Sequence, residues 1–281
     1  MRDVRYEDIV ETVRRLCIEA NCELPWEVQL ALRRALDVEE SPEGKEVLRQ
    51  ILENAEIAMR ERLPICQDTG IVEVFVEIGQ DVRVVGGHLI EAINEGVRRG
   101  YEEGLLRKSV VEHPLRRRNT GDNTPAVVNV EIVKGERLRL IVAPKGAGSE
   151  NMSRAAVLPP AAGREGVVRF VLETVERAGP NACPPLIVGV GLGGTLEKAA
   201  YLAKCALFKR AMGEPARDPE MAAFERELLE EVNKLGIGPG GLGGRVTALE
   251  VRVEWFPCHI ASLPVAVALQ CHAHRFREAV L

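Results

Sequence analysis

Three turn-like segments combine a cysteine with polar residues that could take part in chemistry. In the first, residues 63–70 (LPICQDTG), a thiol, an amide and a carboxylate are consecutive at Cys66, Gln67 and Asp68. A thiolate suits zinc or iron–sulfur ligation, and an adjacent carboxyl group can move protons. A tight turn capped by the aspartate explains the same residues without any chemistry, so both interpretations remain open here.

The second segment, residues 181–195 (NACPPLIVGVGLGGT), places Cys183 before an apolar strand and a glycine-rich turn. Gly189, Gly191 and Gly194 fit the G-x-G-x-x-G pattern of dinucleotide-binding turns. The acidic residue that should end a second strand about 20 residues later is missing, because a loop follows there instead. A strand-to-helix turn that favours any anion accounts for the glycines equally well.

The third segment, residues 257–275, contains the pairs Cys258-His259 and Cys271-His272. Zinc sites usually space paired ligands two to four residues apart, so adjacent Cys-His pairs argue against a structural zinc. A lone histidine such as His259 is more often a hydrogen-bonded core residue than a catalyst.

Two further polar loops could contact a ligand. Residues 116–125 (RRRNTGDNTP) carry three consecutive arginines that could hold carboxylates, although a solvated basic turn explains them too. Residues 145–153 (KGAGSENMS) contain glycines that permit close backbone approach to a ligand. No GKS or GKT sequence is present, so this is not a P-loop.

These turns must be positioned by a mixed set of helices and strands. The first 60 or so residues have helical spacing, and the chain then becomes mixed, which predicts an α/β fold: a helical N-terminal segment followed by short sheets flanked by helices. Residues 1–281 are interpreted as one catalytic domain that could form two lobes without a clear boundary. Beyond the N-terminal helices, we predict strands at 71–78, 126–133, 137–143, 184–190 and 246–255, and helices at 87–103, 164–178, 195–212 and 218–235; Lys134-Gly135-Glu136 predicts a hairpin between two of these strands.

Composition limits the classes of function. The chain has 281 residues, 46% of them hydrophobic, and a formal net charge of −5. The acidic balance gives no reason to expect nucleic acid or an anionic membrane as a partner. No segment approaches the roughly 18 apolar residues of a membrane span, and the N-terminus lacks a signal core, so we expect a cytoplasmic protein. Seven cysteines, an odd number, then argue against a disulfide framework.

Taken together, five segments resemble the iron–sulfur-dependent class I fumarases and L-tartrate dehydratases, from about residue 10 to the C-terminus. The segments are ICQDTG around Cys66, NTGDNTPA at 119–126, PKGAGSENMS at 144–153, ACPP with GVGLGGT at 182–195, and PCHIASLPVAVALQCHA at 257–273. Several long motifs in the right order make this resemblance more specific than the glycine pattern alone.

The resemblance implies a site, residue by residue. Cys66, Cys183 and Cys271 match the cysteines that hold three irons of a [4Fe–4S] cluster and leave the fourth open to substrate. Gln67, Arg107 and Gly148 match substrate-binding positions, whereas Asp68 and His259 match catalytic ones. Asp68 is the candidate proton donor to the leaving hydroxyl. The other four cysteines have no role in the family and are interpreted as structural.

The resemblance also implies a partner. In the two-subunit form this region is the α subunit, and a separate β subunit supplies the base and further contacts to a small dicarboxylate, so we expect an α2β2 assembly that is inactive without β. Reversible hydration of fumarate to L-malate is the first expectation and dehydration of L(+)-tartrate to oxaloacetate the alternative. An NAD-binding oxidoreductase domain built on Gly189, Gly191 and Gly194, and a zinc-binding scaffold, are the alternatives from other classes.

Overall fold

The computed structural model describes residues 1–281 and confirms an α/β fold with helices at its N-terminal end. No helix is long and apolar enough to cross a membrane. The helices are α1 (Tyr6–Cys22), α2 (Trp26–Val38), α3 (Pro42–Glu61), α4 (Leu89–Glu103), α5 (Ala147–Glu150), α6 (Gly163–Ala178), α7 (Leu196–Phe208) and α8 (Pro219–Lys234). The strands are β1 (Arg2–Arg5), β2 (Ile71–Gly79), β3 (Val82–Val85), β4 (Val127–Val133), β5 (Leu138–Lys145), β6 (Arg154–Leu158), β7 (Leu186–Gly193), β8 (Ala248–Phe256), β9 (Leu263–Gln270) and β10 (Arg277–Val280).

The chain divides into two compact units that alternate along the sequence. The first unit comprises residues 1–24, 55–147 and 275–281, and the second comprises residues 25–54 and 148–274. Each unit has its own four-stranded sheet and its own apolar core.

The sheet of the first unit has the strand order β10-β5-β2-β4. Helices α1 and α4 pack on it, and their apolar faces bury Val13 and Val97 against Val74 of β2. The strand predicted at 71–78 corresponds to β2, in which Glu73 and Phe75 are buried together with the valines. Burial of both faces is typical of a central strand, and β2 is indeed at the centre of this sheet.

The predicted hairpin between the two strands on either side of Lys134-Gly135-Glu136 is wrong. Those residues connect β4 to β5, but β2 lies between the two strands, parallel to β4 and antiparallel to β5. The connection between β4 and β5 is short, as predicted. The two strands do not pair with each other, because β2, which is buried on both faces, lies between them.

The sheet of the second unit has the order β6-β9-β7-β8, with β7 parallel to β8 and antiparallel to β9. Helices α6 and α8 contribute Phe170, Val171 and Leu228 to its core. Helix α7 ends at Phe208 rather than continuing to Met212 as the sequence predicts. The buried guanidinium of Arg252 explains the early end, because it donates to the carbonyls of Ala206 and Leu207 in the last helical turn.

Candidate active site

The Cys66–Gly70 turn lies immediately before β2 in the first unit, where local hydrogen bonds hold its side chains. The Cys66 sulfur accepts the backbone N–H of Asp68 at 3.4 Å, and its thiol donates to Oε1 of Gln67 at 3.3 Å. Oδ1 of Asp68 accepts the N–H of Gly70 at 3.0 Å. Gln67 is exposed, and Cys66 and Asp68 are half-buried. The three side chains singled out in the sequence are therefore presented together at one end of the sheet.

The end of β5 closes against this turn. A Cβ on Gly70 would lie 2.7 Å from backbone atoms of Lys145, so only glycine permits this approach, and its φ of +77° also favours glycine. The Ala147 N–H, just beyond β5, donates to Oδ2 of Asp68 at 2.8 Å. Both carboxylate oxygens of Asp68 thus accept a backbone N–H, which fixes the orientation of the group.

Two buried residues support the turn from within the first unit. The Tyr101 hydroxyl donates to the Thr69 carbonyl and lies 3.2 Å from the Gly70 carbonyl oxygen, and burial raises the pKa of Tyr101, so its phenol stays a neutral donor. Arg275 is only 3% exposed and donates through Nη2 to the Asp68 carbonyl. Its Nε and Nη1 have no partner in the chain. A buried cation therefore lies against the backbone of the turn.

Arg107 belongs to an exposed loop that is tied to the same turn. The Thr69 hydroxyl donates to the Arg107 carbonyl at 2.6 Å. Asn123, which is fully buried, donates to the Gly70 carbonyl at 3.1 Å and accepts the N–H groups of Ser109 and Val110 at 2.7 and 3.2 Å. One amide side chain thus joins the Cys66–Gly70 turn to the loop that carries Arg107.

Cys183 and Cys271 lie together at the same end of the two central strands, β7 and β9, in the sheet of the second unit. Cys183 comes just before β7, Cys271 just after β9, and these strands pair antiparallel. The N–H of His272 donates to the Cys183 carbonyl at 3.3 Å, and Nδ1 of His272 is 3.0 Å from the same oxygen. Cys183 has a φ of +56° and is exposed. Two of the three predicted cluster ligands are therefore neighbours.

Gly148 lies near this same end of strands β7 and β9 in the second unit. The segment after it leads into β6, and the Ser153 hydroxyl there accepts the N–H of Leu269 near the end of β9 at 3.1 Å. A Cβ on Gly148 would lie 3.2 Å from the carbonyl oxygen of Asn181, close to Cys183 in the chain. The predicted backbone contact at Gly148 thus falls beside the two cysteines.

His259 is not grouped with these residues within the second unit. It lies in the exposed turn between β8 and β9, whereas Cys271 follows the other end of β9. The eight residues of β9 span roughly 23 Å at about 3.3 Å per residue. The structure therefore separates His259 from Cys183 and Cys271.

The same separation bears on the zinc alternative. Cys258-His259 and Cys271-His272 lie beyond opposite ends of β9, so the two pairs cannot share one zinc ion.

The seven cysteines divide by environment. Cys17, Cys22 and Cys205 are buried, and burial raises the pKa of the Cys17 and Cys22 thiols, which disfavours thiolate ligation. Cys66 and Cys271 are half-buried, whereas Cys183 and Cys258 are exposed. The predicted ligands are thus soft thiol donors on turns, which suits an iron–sulfur cluster. Cys66 belongs to the first unit and the other two to the second, and the structure groups no three His, Cys, Asp or Glu residues around a metal position.

The glycine pattern of the second segment has a packing explanation. Gly189 and Gly191 lie inside β7, where a Cβ would approach the carbonyl oxygens of Ala203 and Ala199 in α7 to 2.2 and 1.9 Å. The glycines therefore let α7 pack directly on the strand. Both residues lie inside the strand rather than in a strand-to-helix turn that could hold a pyrophosphate, so nothing here favours the NAD-binding alternative.

Sequence reasoning missed three residues that hold the turn: Tyr101, Asn123 and Arg275. Asn123 lies inside one of the quoted motifs and Arg275 shortly follows another. The sequence does not show that either residue is buried, so neither could be distinguished from a surface residue of a polar loop. Tyr101 lies in an ordinary amphipathic helix and gives no signal. Their roles depend on contacts made over 31 to 207 residues of sequence.

Comparison with known proteins agrees with the resemblance. The family model described as "Fumarate hydratase (Fumerase)" matches residues 10–280. A protein of Methanocaldococcus jannaschii, provisionally named an L(+)-tartrate dehydratase subunit alpha, is 46% identical over 274 residues, which cover 95% of each chain. The L(+)-tartrate dehydratase subunits alpha of Escherichia coli and Shigella sonnei are each 33% identical over 270 residues, covering 95% of this chain and 88% of theirs. The chain therefore belongs to the fumarate hydratase (Fumerase) family of iron–sulfur hydro-lyases.

Proposed function

We propose that this chain is the α subunit of an L(+)-tartrate dehydratase, which removes water from tartrate to give oxaloacetate. The supporting observation is that Cys66, Gln67 and Asp68 are presented together at one sheet end, with both oxygens of Asp68 oriented by backbone N–H groups. The names of the relatives favour tartrate over fumarate, our first expectation from sequence. Hydration of fumarate to malate remains the second candidate, since the matching family model carries that name.

The proposed cofactor is a [4Fe–4S] cluster held by Cys66, Cys183 and Cys271. When bound, a cluster with three protein ligands supplies an open iron that can act as a Lewis acid toward the substrate's hydroxyl and carboxylate. The donor set supports the assignment, because these thiols are accessible on turns while Cys17, Cys22 and Cys205 are buried.

Dehydration breaks a C–O bond on one carbon and a C–H bond on the neighbouring carbon, and the enol that results rearranges to oxaloacetate. Hydroxide is a poor leaving group, so the departing oxygen must receive a proton. Asp68 is the proposed donor, and in the reverse direction its carboxylate accepts that proton from water. The Gly70 and Ala147 N–H groups orient it without occupying all its lone pairs.

Two further residues of the first unit are proposed to bind substrate. The exposed guanidinium of Arg107 can take a carboxylate in two parallel hydrogen bonds, and the exposed amide of Gln67 can orient a hydroxyl. Gly148 is proposed to contact substrate through its backbone. His259 is assigned no step, because His259 and Cys271 lie beyond opposite ends of β9.

A separate β subunit is proposed to supply the base that removes the carbon-bound proton and the remaining carboxylate contacts. The relatives that this chain matches over 95% of its length are named as subunits alpha, which supports a partner. An α2β2 assembly is the proposed stoichiometry.

Assays of anaerobically reconstituted protein test this proposal. The chain co-produced with its β subunit is expected to dehydrate L(+)-tartrate faster than it hydrates fumarate, and the chain alone is expected to do neither. Turnover by the isolated chain would contradict the half-site proposal. Faster hydration of fumarate by the pair would make the second candidate the function.

A further inference from the structure

One loop of the first unit concentrates positive charge in an acidic protein. Five cationic side chains stand between residues 107 and 118, with Glu112 as the one acidic residue among them, while the whole chain has a net charge of −5. The cations are Arg107, Lys108, Arg116, Arg117 and Arg118, of which all but the half-buried Lys108 are exposed.

These charges are largely uncompensated. The carboxylate of Glu112 is 3.9 Å from Arg118, and Arg117 donates to the Pro114 carbonyl at 3.4 Å. The nearby Asp122 is engaged by Arg98, which hydrogen-bonds to it at 3.1 Å. Most of the positive charge of the loop therefore faces solvent.

Hydrogen bonds fix the shape of the loop. Asn119 donates to the Lys108 carbonyl at 2.8 Å, and the N–H of Glu112 donates to the Arg118 carbonyl, also at 2.8 Å. Nδ1 of His113 accepts the N–H groups of Leu115 and Arg116. A loop closed on itself in this way holds its cations at set positions, unlike a solvated basic tail.

The loop is attached to the candidate catalytic turn within the same unit. The bond from Thr69 to the Arg107 carbonyl and the three bonds of Asn123 connect them directly. The loop that carries the positive charge is therefore anchored at its base to the turn that carries Asp68.

We propose that Arg116, Arg117 and Arg118 form an electrostatic funnel that draws dianionic substrates to the Cys66–Gly70 turn. Unlike Arg107, they act at long range and make no contact with the bound substrate. This inference rests on the proposed function only for the identity of the dianion. Fields of this kind raise arrival rates by about 10- to 1,000-fold and weaken steeply with ionic strength.

Thiol chemistry at Cys66 tests the field without requiring enzyme activity. The reagents are dianionic 5,5′-dithiobis(2-nitrobenzoate) and neutral 4,4′-dithiodipyridine, used on the cluster-free full-length chain with Cys183, Cys258 and Cys271 changed to Ser. Both reagents need the same thiolate, so the ratio of their rates cancels any change in thiolate fraction and reports the local potential.

The test variant is Arg116→Gln with Arg117→Gln and Arg118→Gln. Its ratio of anionic to neutral reaction rates is expected to fall about 3- to 10-fold at 0.01 M ionic strength, where the Debye length is about 30 Å, and to match the wild type at 1 M, where it is about 3 Å. The matched control is Arg2→Gln with Lys134→Gln and Arg137→Gln. It removes the same charge in the same unit, around the β4–β5 connection at the far end of β2, and is expected to leave the ratio unchanged.

The co-produced pair gives the second readout. The test variant is expected to lower kcat/KM for tartrate about 3- to 10-fold at low salt and to leave kcat unchanged. The funnel would be overturned if the test variant had the same reagent ratio as the wild type, or if the ratio of the control variant fell equally. It would also be overturned if the test variant lost β-subunit binding and showed no salt effect. A wild-type pair that is inactive on dicarboxylates would refute the proposed function instead, while the reagent ratio would still decide the funnel.

Discussion

Replacing Asn123 tests whether one buried amide holds the candidate catalytic turn. Asn123→Ala removes the acceptor of the Ser109 and Val110 N–H groups and the donor to the Gly70 carbonyl. The Gly70 oxygen keeps the Tyr101 hydroxyl at 3.2 Å, but the N–H of buried Val110 loses its partner.

The expected loss follows from these contacts. An unsatisfied buried N–H costs about 1–3 kcal/mol and each of the other two bonds contributes about 1 kcal/mol. Alanine at the φ of +62° found here adds about 1 kcal/mol of backbone strain. We therefore expect Asn123→Ala to lower the free energy of unfolding by about 5 kcal/mol, and Asn123→Gly to lower it by about 1 kcal/mol less, since glycine removes the strain.

Chemical denaturation of the wild type, Asn123→Ala and Asn123→Gly measures these differences. For the Asn123→Ala chain co-produced with its β subunit, kcat/KM should fall at least about tenfold, because misplaced catalytic groups lower the rate. Asn119→Ala is the matched control, because Asn119 belongs to the same motif and also makes two local bonds, but it is exposed to water. Its cost should not exceed about 1 kcal/mol. Equal effects of the two alanine variants, or a loss below about 1 kcal/mol for Asn123→Ala, would show that Asn123 does not hold the turn.

Three further variants extend the account. Gly191→Ala would place a Cβ 1.9 Å from the Ala199 carbonyl oxygen and should cost about 3 kcal/mol in thermal or chemical unfolding; a smaller loss would mean that α7 can move away. Burial tends to raise the pKa of Glu39, but four backbone N–H donors outweigh burial and lower this pKa. The ionised Glu39 therefore stabilises the fold above about pH 4.5, and this stabilisation is lost as the pH falls further. Glu39→Gln should therefore flatten the fall in stability in that acidic range, and an unchanged pH profile would contradict this. Asp68→Asn should lower kcat of the pair at least about 100-fold while the iron content stays unchanged, and near-normal turnover would remove Asp68 from the mechanism.

Local patterns were sufficient to predict much of the fold. The strand predicted at 71–78 corresponds to β2, and the helical spacing of the first 60 or so residues corresponds to the N-terminal helices up to α3. The sheet order could not be read in this way, because the β4–β5 connection looks like a hairpin until β2 is known to lie between the strands. The end of α7 depends on Arg252, which is more than 40 residues away in sequence.

The candidate site shows the same division. Cys66, Gln67 and Asp68 could be found together because they are consecutive, and the pairing of β7 with β9 brings Cys183 to Cys271 as part of the fold. Arg275 and Tyr101 could not be found, since nothing local distinguishes a buried arginine or tyrosine that contacts a distant carbonyl. His259 stands in a motif with Cys271, yet the length of β9 separates the two residues.

Iron and sulfide content after anaerobic reconstitution, measured together with the broad absorbance at about 400 nm that cysteine-ligated clusters give, shows whether Cys66, Cys183 and Cys271 hold a cluster. Cys66→Ser, Cys183→Ser and Cys271→Ser are each expected to lose the cluster, whereas Cys258→Ser, at an exposed cysteine outside the proposed ligand set, is expected to keep it. A full cluster in any of the first three variants, or its loss in the Cys258 variant, would contradict the account.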